Sequence, residues 1–278
     1  MNESKDWMML DFTGKSVLVT GGGAGIGRAC ADAFARQGAR VFIAEIDPER
    51  GTGFTAGTAI QCDVTKPEQV DALARTLEQE TGGKLDILVN NVGHFLHSRP
   101  FSDLSGNEIQ DIIGVNLISL MQVTNRLLPL LKAAAPGGSI INITSIEAYR
   151  GIPNCAVYAA AKSGITGFTK SLALELAPLG IRVNDIAPET TDTPQTPIDY
   201  MVPPENREHV ERWVPLGRFG HPDDCAGAAL YLASPLASWV TGTAIHVDGG
   251  SLAAAGWIRD VKGVWTNMPI VTGNGMNL

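Results

Sequence analysis

Six short apolar runs recur along the chain: Ser16 to Thr20, Arg40 to Ala44, Ile87 to Asn90, Ser139 to Ile143, Arg182 to Ile186 and Ala244 to Val247. The stretches between them carry helical spacing. Strands so apolar have no wet face, and the segments joining them are long enough to cross over a sheet. The pattern predicts an α/β chain built on one doubly wound parallel sheet with helices on both faces. No internal repeat, low-complexity tract or Pro/Ser linker divides the sequence, so a single domain over 1–278 is expected, and 44% hydrophobic residues suffice for its core. Two segments stand outside the alternation. Residues 188–215 are proline-rich and read as a long inserted loop, of a length that usually marks a substrate lid. Residues 251–278 form a C-terminal extension whose Trp257, Trp265, Met268 and Ile270 are too apolar for a free tail. This extension is expected to pack at a subunit interface, closing a neighbour's cleft.

Charge narrows the partners. Twenty-one basic against twenty-nine acidic residues give a formal charge of −8, with no run of Lys or Arg, so a nucleic-acid partner is not expected. Cys30, Cys62, Cys155 and Cys225 are widely spaced and show no CxxC pairing, which suits a reduced, cytoplasmic protein. The start MNESKDWMMLDF lacks a basic segment followed by an apolar one, and no run of about 18 apolar residues follows, so neither a signal peptide nor a membrane span is expected.

The first strand runs into KSVLVTGGGAGIGRACADAF, which places Gly21, Gly25 and Gly27 between a strand and a helix. Glycines there let the backbone approach a diphosphate, and the helix start supplies free N–H groups. A tight turn without a ligand is the plain alternative. Glu45, ending the second strand, is placed to accept hydrogen bonds from a ribose diol and would repel a 2′-phosphate, so NAD is favoured over NADP. Asp47 is a possible substitute, and Arg28 and Arg50 are the nearest bases, both read as solvated.

The segment TSIEAYRGIPNCAVYAAAK carries Ser145, Tyr158 and Lys162. With Val157 to Leu176 helical, Tyr158 and Lys162 lie four apart on one face, and an ammonium near a phenol favours the phenolate. Ser145 lies just past a strand, at the carboxyl edge of the sheet where doubly wound folds bind ligands, placed to hold a substrate oxygen against the tyrosine. Each residue alone reads as a surface pair or a turn; the combination does not.

Together with TGxxxGxG at Thr20 to Gly27 and NNxG at Asn90 to Gly93, the Ser145 and Tyr158-xxx-Lys162 set resembles the short-chain dehydrogenase/reductase family, in order and at its usual spacings from about Gly14 to Gly250. The resemblance implies a Rossmann-type fold and hydride exchange between NAD and a secondary alcohol or ketone. It implies Tyr158 as acid/base, Lys162 lowering the phenol's pKa and binding the nicotinamide ribose, Ser145 orienting the substrate oxygen, and Asn116, on the preceding helix, anchoring a proton-carrying water. It further implies cofactor contacts from Gly21, Ala24, Gly25, Ile26, Gly27, Glu45, Asp63, Val64, Asn90, Pro188, Thr191 and Thr193. A homotetramer, or a homodimer, is implied through the helices around Asn107 to Leu131 and Val157 to Leu176.

Three residues depart from the family pattern or stand beside it. Glu189 follows Pro188 where a glycine is usual, and is expected to point outward or else to add a negative charge near the cofactor or substrate. Glu147 is placed to meet substrate polar groups or to face solvent. His94 is placed to border the cleft, and His94 and His97 have no third ligand nearby, so no metal is expected. Tyr200, Met201, Val202 and Trp213 on the lid suit a cyclic or bulky apolar substrate such as a steroid, terpenoid or ring diol, or else pack the lid onto the core. The alternatives are a 3-oxoacyl thioester reductase, for which neither an NADP signal nor a basic patch is seen, and a non-catalytic NAD-binding regulator, against which the retained tyrosine and lysine argue.

Overall fold

The computed structural model describes residues 10–260, 262–267 and 276–277. Met1 to Met9, most of the segment read above for a leader, lie outside the described residues, as do Met268 and Ile270 of the extension. In chain order the main elements are β1 (Ser16–Thr20), α1 (Gly25–Arg36), β2 (Arg40–Glu45), α2 (Pro48–Thr52), β3 (Thr58–Gln61), α3 (Pro67–Thr81), β4 (Ile87–Asn90) and α4 (Gly106–Ile113). There follow α5 (Ser119–Ala133), β5 (Ser139–Ile143), α6 (Ala156–Leu176), β6 (Arg182–Pro188), α7 (Ile198–Met201), α8 (Val210–Trp213), α9 (Pro222–Ala233) and β7 (Ala244–Val247).

Strands β1 to β7 form one parallel sheet in the order β3-β2-β1-β4-β5-β6-β7. Alternation along the strands supplies both faces. Val17, Val19, Val41 and Ile43 pack with Phe34 of α1 and Leu232 of α9 on one side, while Leu18, Phe42, Leu88 and Ile140 meet Leu77 of α3, Leu127 of α5 and Leu172 of α6 on the other. This is the Rossmann-type arrangement, and it places the carboxyl ends of β1, β4, β5 and β6 along one edge.

Three differences from the sequence reading have physical causes. Strand β3 is an edge strand with three of its four residues exposed, so it has no apolar run to betray it. The segment Asn107 to Leu131 is not continuous α-helix: α4 and α5 are joined by a π-helical turn, Gly114–Ile118, which holds Asn116 fully buried. The segment 188–215 is not a plain loop, because α7, a 3₁₀ stretch Pro204–His209 and α8 break it into short helical pieces. The boundaries of β2 and β6 run on to Glu45 and Pro188.

Past β7 come α10 (Ser251–Ala254), β8 (Ile258–Arg259), β9 (Trp265–Asn267) and β10 (Met276–Asn277), the strands forming a small antiparallel sheet. Of these strands, β8 packs against α8, and the Arg259 guanidinium donates to the Pro215 carbonyl at 3.1 Å.

Candidate active site

A cleft of about 650 Å³ opens along the carboxyl edge of the sheet. One end is built by the turn after β1. Gly21 and Gly25 adopt φ of +61° and +54°, a conformation side chains disfavour. A Cβ on Gly27 would fall 2.3 Å from the Gly21 carbonyl oxygen, so glycine is what lets α1 sit hard against the turn. Ala24 precedes α1 with no side-chain cap and no acid in the first turn, leaving the helix's amino end to the cleft, which Ala24, Gly25 and Ile26 border.

Glu45 borders the same end, buried at 5% exposure. Its Oε2 accepts the Gly23 N–H at 2.9 Å and its Oε1 the Asp47 N–H at 3.1 Å, so the carboxylate is fixed by backbone. Asp47 spends its own side chain capping α2. Arg28 pairs with Asp32 on the outer side of α1. Arg50 is solvated as read from sequence, an exposed side chain at the rim of the cleft near Glu45 that pairs with Asp47 at 3.4 Å.

Asp63 and Val64 lie between β3 and α3 and do not border the cleft. Asp63 Oδ1 accepts from the Thr65 N–H and hydroxyl, and Val64 is core. Asn90 is likewise interior, donating to Thr124 Oγ1 and Asn142 Oδ1, both at 2.9 Å. Pro188, Thr191 and Thr193 line the cleft from the end of β6, and the Thr193 side chain lies 3.2 Å from where a Gly25 Cβ would stand. The chain after β6 therefore closes directly over the glycine turn.

At the other end Ser145, Tyr158 and Lys162 face the cleft together. Tyr158 is 7% exposed and stacks at 4.4 Å between centroids on Phe95; Lys162 is 2% exposed, with Nζ donating to the Ile143 carbonyl at 3.0 Å. Nζ lies 5.6 Å from the Tyr158 ring centroid. The expectation of a lowered phenol pKa is corrected here. Burial raises Tyr158 to about 12, outweighing the Ser145 hydroxyl that favours the phenolate, and the Glu147 charge adds to the rise. Burial likewise pushes Lys162 down to about 8. The physical reason is that both groups have left water, which penalises both charged forms.

Asn116 does not border the cleft but supports it: Oδ1 accepts the His94 N–H at 3.0 Å, and Nδ2 donates to the carbonyls of His94 and Ile112, both at 2.8 Å. It meets Lys162 at Gly93, where an added Cβ would stand 2.7 Å from Nζ and 3.0 Å from Asn116 Oδ1. His94 borders the cleft, its pKa lowered by burial, with Nδ1 accepting the Leu96 N–H. Among the described residues no group of three or more His, Cys, Asp or Glu is placed to hold a metal.

Glu189 does not point outward. It is buried at 9% exposure, held by Arg150 and by the Thr190 N–H and hydroxyl. Glu147 is also buried and paired with Arg150. Sequence reading missed Arg150: its i,i+3 spacing from Glu147 was visible, but nothing announced Glu189, 39 residues on. It also missed Asp185, under the site on β6, whose Oδ1 accepts from Thr169 and which burial raises to about 7.

A glycine turn, an acid at the second strand end and a Ser, Tyr and Lys set opening into one cleft of a doubly wound sheet define a nicotinamide-dependent oxidoreductase. The family model described as "Enoyl-(Acyl carrier protein) reductase" matches residues 21–251. The chain is 41% identical over 249 residues to "3beta-hydroxysteroid dehydrogenase 1" of Eggerthella lenta, covering 86% of this chain and 94% of that one. It is 36% identical to "Galactitol 2-dehydrogenase" of Agrobacterium fabrum, covering 85% and 97%. The solved structure of "3-ketoacyl-(acyl-carrier-protein) reductase from Brucella melitensis complexed with NADH" superposes with a TM-score of 0.78 at 35% identity, covering 87% and 99%. The chain belongs to the short-chain dehydrogenase/reductase family. It is an enzyme of the alcohol dehydrogenase and ketoreductase type.

Proposed function

We propose that this enzyme interconverts a secondary alcohol and its ketone with NAD, on a cyclic or bulky and mostly apolar molecule. The carrying observation is that Ser145, Tyr158 and Lys162 share one cleft with the uncapped start of α1. The cleft suits a dinucleotide: the glycine turn leaves no Cβ in the way, the helix end favours a diphosphate, and Glu45 offers acceptors to a ribose diol and repulsion to a 2′-phosphate. Gly21, Ala24, Gly25, Ile26 and Glu45 would hold the adenosine and diphosphate part, and Pro188, Thr191, Thr193 and Lys162 the nicotinamide part. When bound, the nicotinamide gives or takes the hydride.

The chain's own residues manage position and protons. Ser145 gives a hydrogen bond to the substrate oxygen, where charge develops. Tyr158, protonated at neutral pH, delivers its proton to a ketone oxygen and recovers it from the alcohol in the reverse direction. The Lys162 ammonium stabilises the phenolate that forms, and Asn116 keeps the Gly93–His94 backbone against Lys162. Phe95, Leu96, Ile146, Ile152 and Met201 make the substrate end apolar, and likeness to a hydroxysteroid dehydrogenase supports a ring substrate.

Reduction of a 3-oxoacyl thioester is the second reading, supported by likeness to the Brucella reductase. Segment 188–215 serves as substrate cover, residues 251–278 extend a subunit interface, and the enzyme works as a cytoplasmic homotetramer or homodimer. Among the described residues no helix is long and apolar enough to cross a membrane. The test follows NADH absorbance with NAD+ against NADP+ over secondary alcohols graded from aliphatic to steroidal, and over a 3-oxoacyl thioester in the reverse direction. Turnover with NAD+ that rises with ring size and disappears in Tyr158→Phe supports the reading; thioester reduction with no alcohol turnover replaces it.

A further inference from the structure

Near Ser145 the cleft holds an arrangement that neither gives nor takes the reacting proton. Glu147 and Glu189 are both more than nine-tenths buried and both border the cleft. Arg150 bridges them: Nη2 donates to Glu147 Oε1 and Glu189 Oε2, each at 2.8 Å, and Nε donates to Glu147 Oε1 and Oε2 at 3.2 and 3.3 Å. Trp213 of α8 covers the guanidinium, with Cζ 5.6 Å from its ring centroid.

A brace between the cover and the sheet needs one carboxylate for its guanidinium. Two carboxylates on one guanidinium leave an uncompensated negative charge away from water, which is unfavourable unless further donors complete its shell. Acceptor capacity is unspent. A carboxylate oxygen takes about two hydrogen bonds, and Glu147 Oε2 and Glu189 Oε2 each take one, from Arg150. Thr190 gives its N–H and hydroxyl to Glu189 Oε1, leaving the two Oε2 atoms short of a donor, and Phe95, Ile146, Ile152 and Met201 of the same cleft are apolar. The charge also sits within electrostatic reach of the reacting phenol, since Glu147 acts on Tyr158.

We propose that Glu147 and Glu189 select the substrate by accepting a hydrogen bond from a second hydroxyl, remote from the carbinol that meets Tyr158. The preferred substrate is then a neutral ring compound bearing at least two hydroxyls, and anionic compounds are disfavoured. The proposal rests on the alcohol and ketone reading above and narrows it.

The experiment measures NADH formation by the full chain from cyclohexanediols and decalin diols, from the matched mono-ols, and from a hydroxycyclohexanecarboxylate. The expected result is a kcat/KM for the best diol at least about tenfold above its mono-ol, corresponding to one charge-assisted hydrogen bond, with the carboxylate the poorest substrate. In Glu147→Gln and Glu189→Gln the diol should lose about tenfold more than the mono-ol, chiefly in KM, while the carboxylate gains on both. A brace without contact to substrate would produce no such gain. Equal use of diols and mono-ols by the wild-type enzyme overturns the proposal while leaving the alcohol dehydrogenase reading intact, and needs no variant to fold. Absence of turnover with every alcohol overturns both.

Discussion

Gly93 offers the sharpest test of how the site is held. A methyl group there would stand 2.7 Å from Lys162 Nζ and 3.0 Å from Asn116 Oδ1, where ordinary contacts begin at 3.4 Å, so the ammonium must retreat by 3.4 − 2.7 = 0.7 Å. On an exposed lysine that would be trivial. Here Lys162 is 2% exposed and tied to the Ile143 carbonyl at 3.0 Å, and Asn116 is spent on three backbone groups. Gly93→Ala should therefore stretch or break a buried charged hydrogen bond, a loss of about 1.5–3 kcal/mol in stability. Displacement of a group beside the reacting atoms by most of an ångström predicts a fall in kcat of about 30- to 100-fold. The control is Gly167→Ala on the exposed side of α6, where an added Cβ meets nothing within 4 Å and should stabilise by about 0.5–1 kcal/mol. Urea unfolding and steady-state rates with NAD decide the matter. A Gly93→Ala enzyme within about threefold of wild type in kcat, with an unchanged urea midpoint, would refute the claim that this contact positions Lys162.

Other perturbations follow from the same geometry. Burial raises Asp185 from 3.8 to about 7, so the native state holds a proton that the unfolded chain releases, and stability attributable to this group is lost as pH climbs from about 4 to about 7. Asp185→Asn should accordingly be more stable than wild type at pH 8, with the advantage shrinking toward pH 5; urea midpoints showing the same difference at both pH values would contradict the sign. Glu45→Ser should raise the NADP+ to NAD+ ratio of kcat/KM by at least about tenfold by removing one charge from the ribose end; an unchanged ratio would remove Glu45 from cofactor choice. Deleting residues 256–278 takes away the Arg259 contact to Pro215 and the packing of β8 on α8, and should raise KM more than it lowers kcat. An unchanged KM would show that the extension does not steady the cover.

The sequence by itself determined the parallel sheet and most of its strands, because buried strands must be apolar on both faces and the runs at Ser16, Arg40, Ile87 and Ser139 say so almost residue by residue. It determined the glycine turn and the Tyr158 and Lys162 pair for a similar reason: left-handed backbone and helical periodicity are local properties. Edge strand β3 escaped because an exposed strand needs no apolar pattern. The π-helical turn around Asn116 was hidden because its register depends on what α4 and α5 pack against. What only the tertiary structure decided is the electrostatics of the cleft. Tyr158 is raised rather than lowered because burial is a property of everything packed around it. Glu189 turns inward because Arg150, 39 residues earlier in the chain, arrives beside it only when the end of β6 and the loop after β5 lie side by side. Charges pair through space, and no spacing along the chain records which ones will meet.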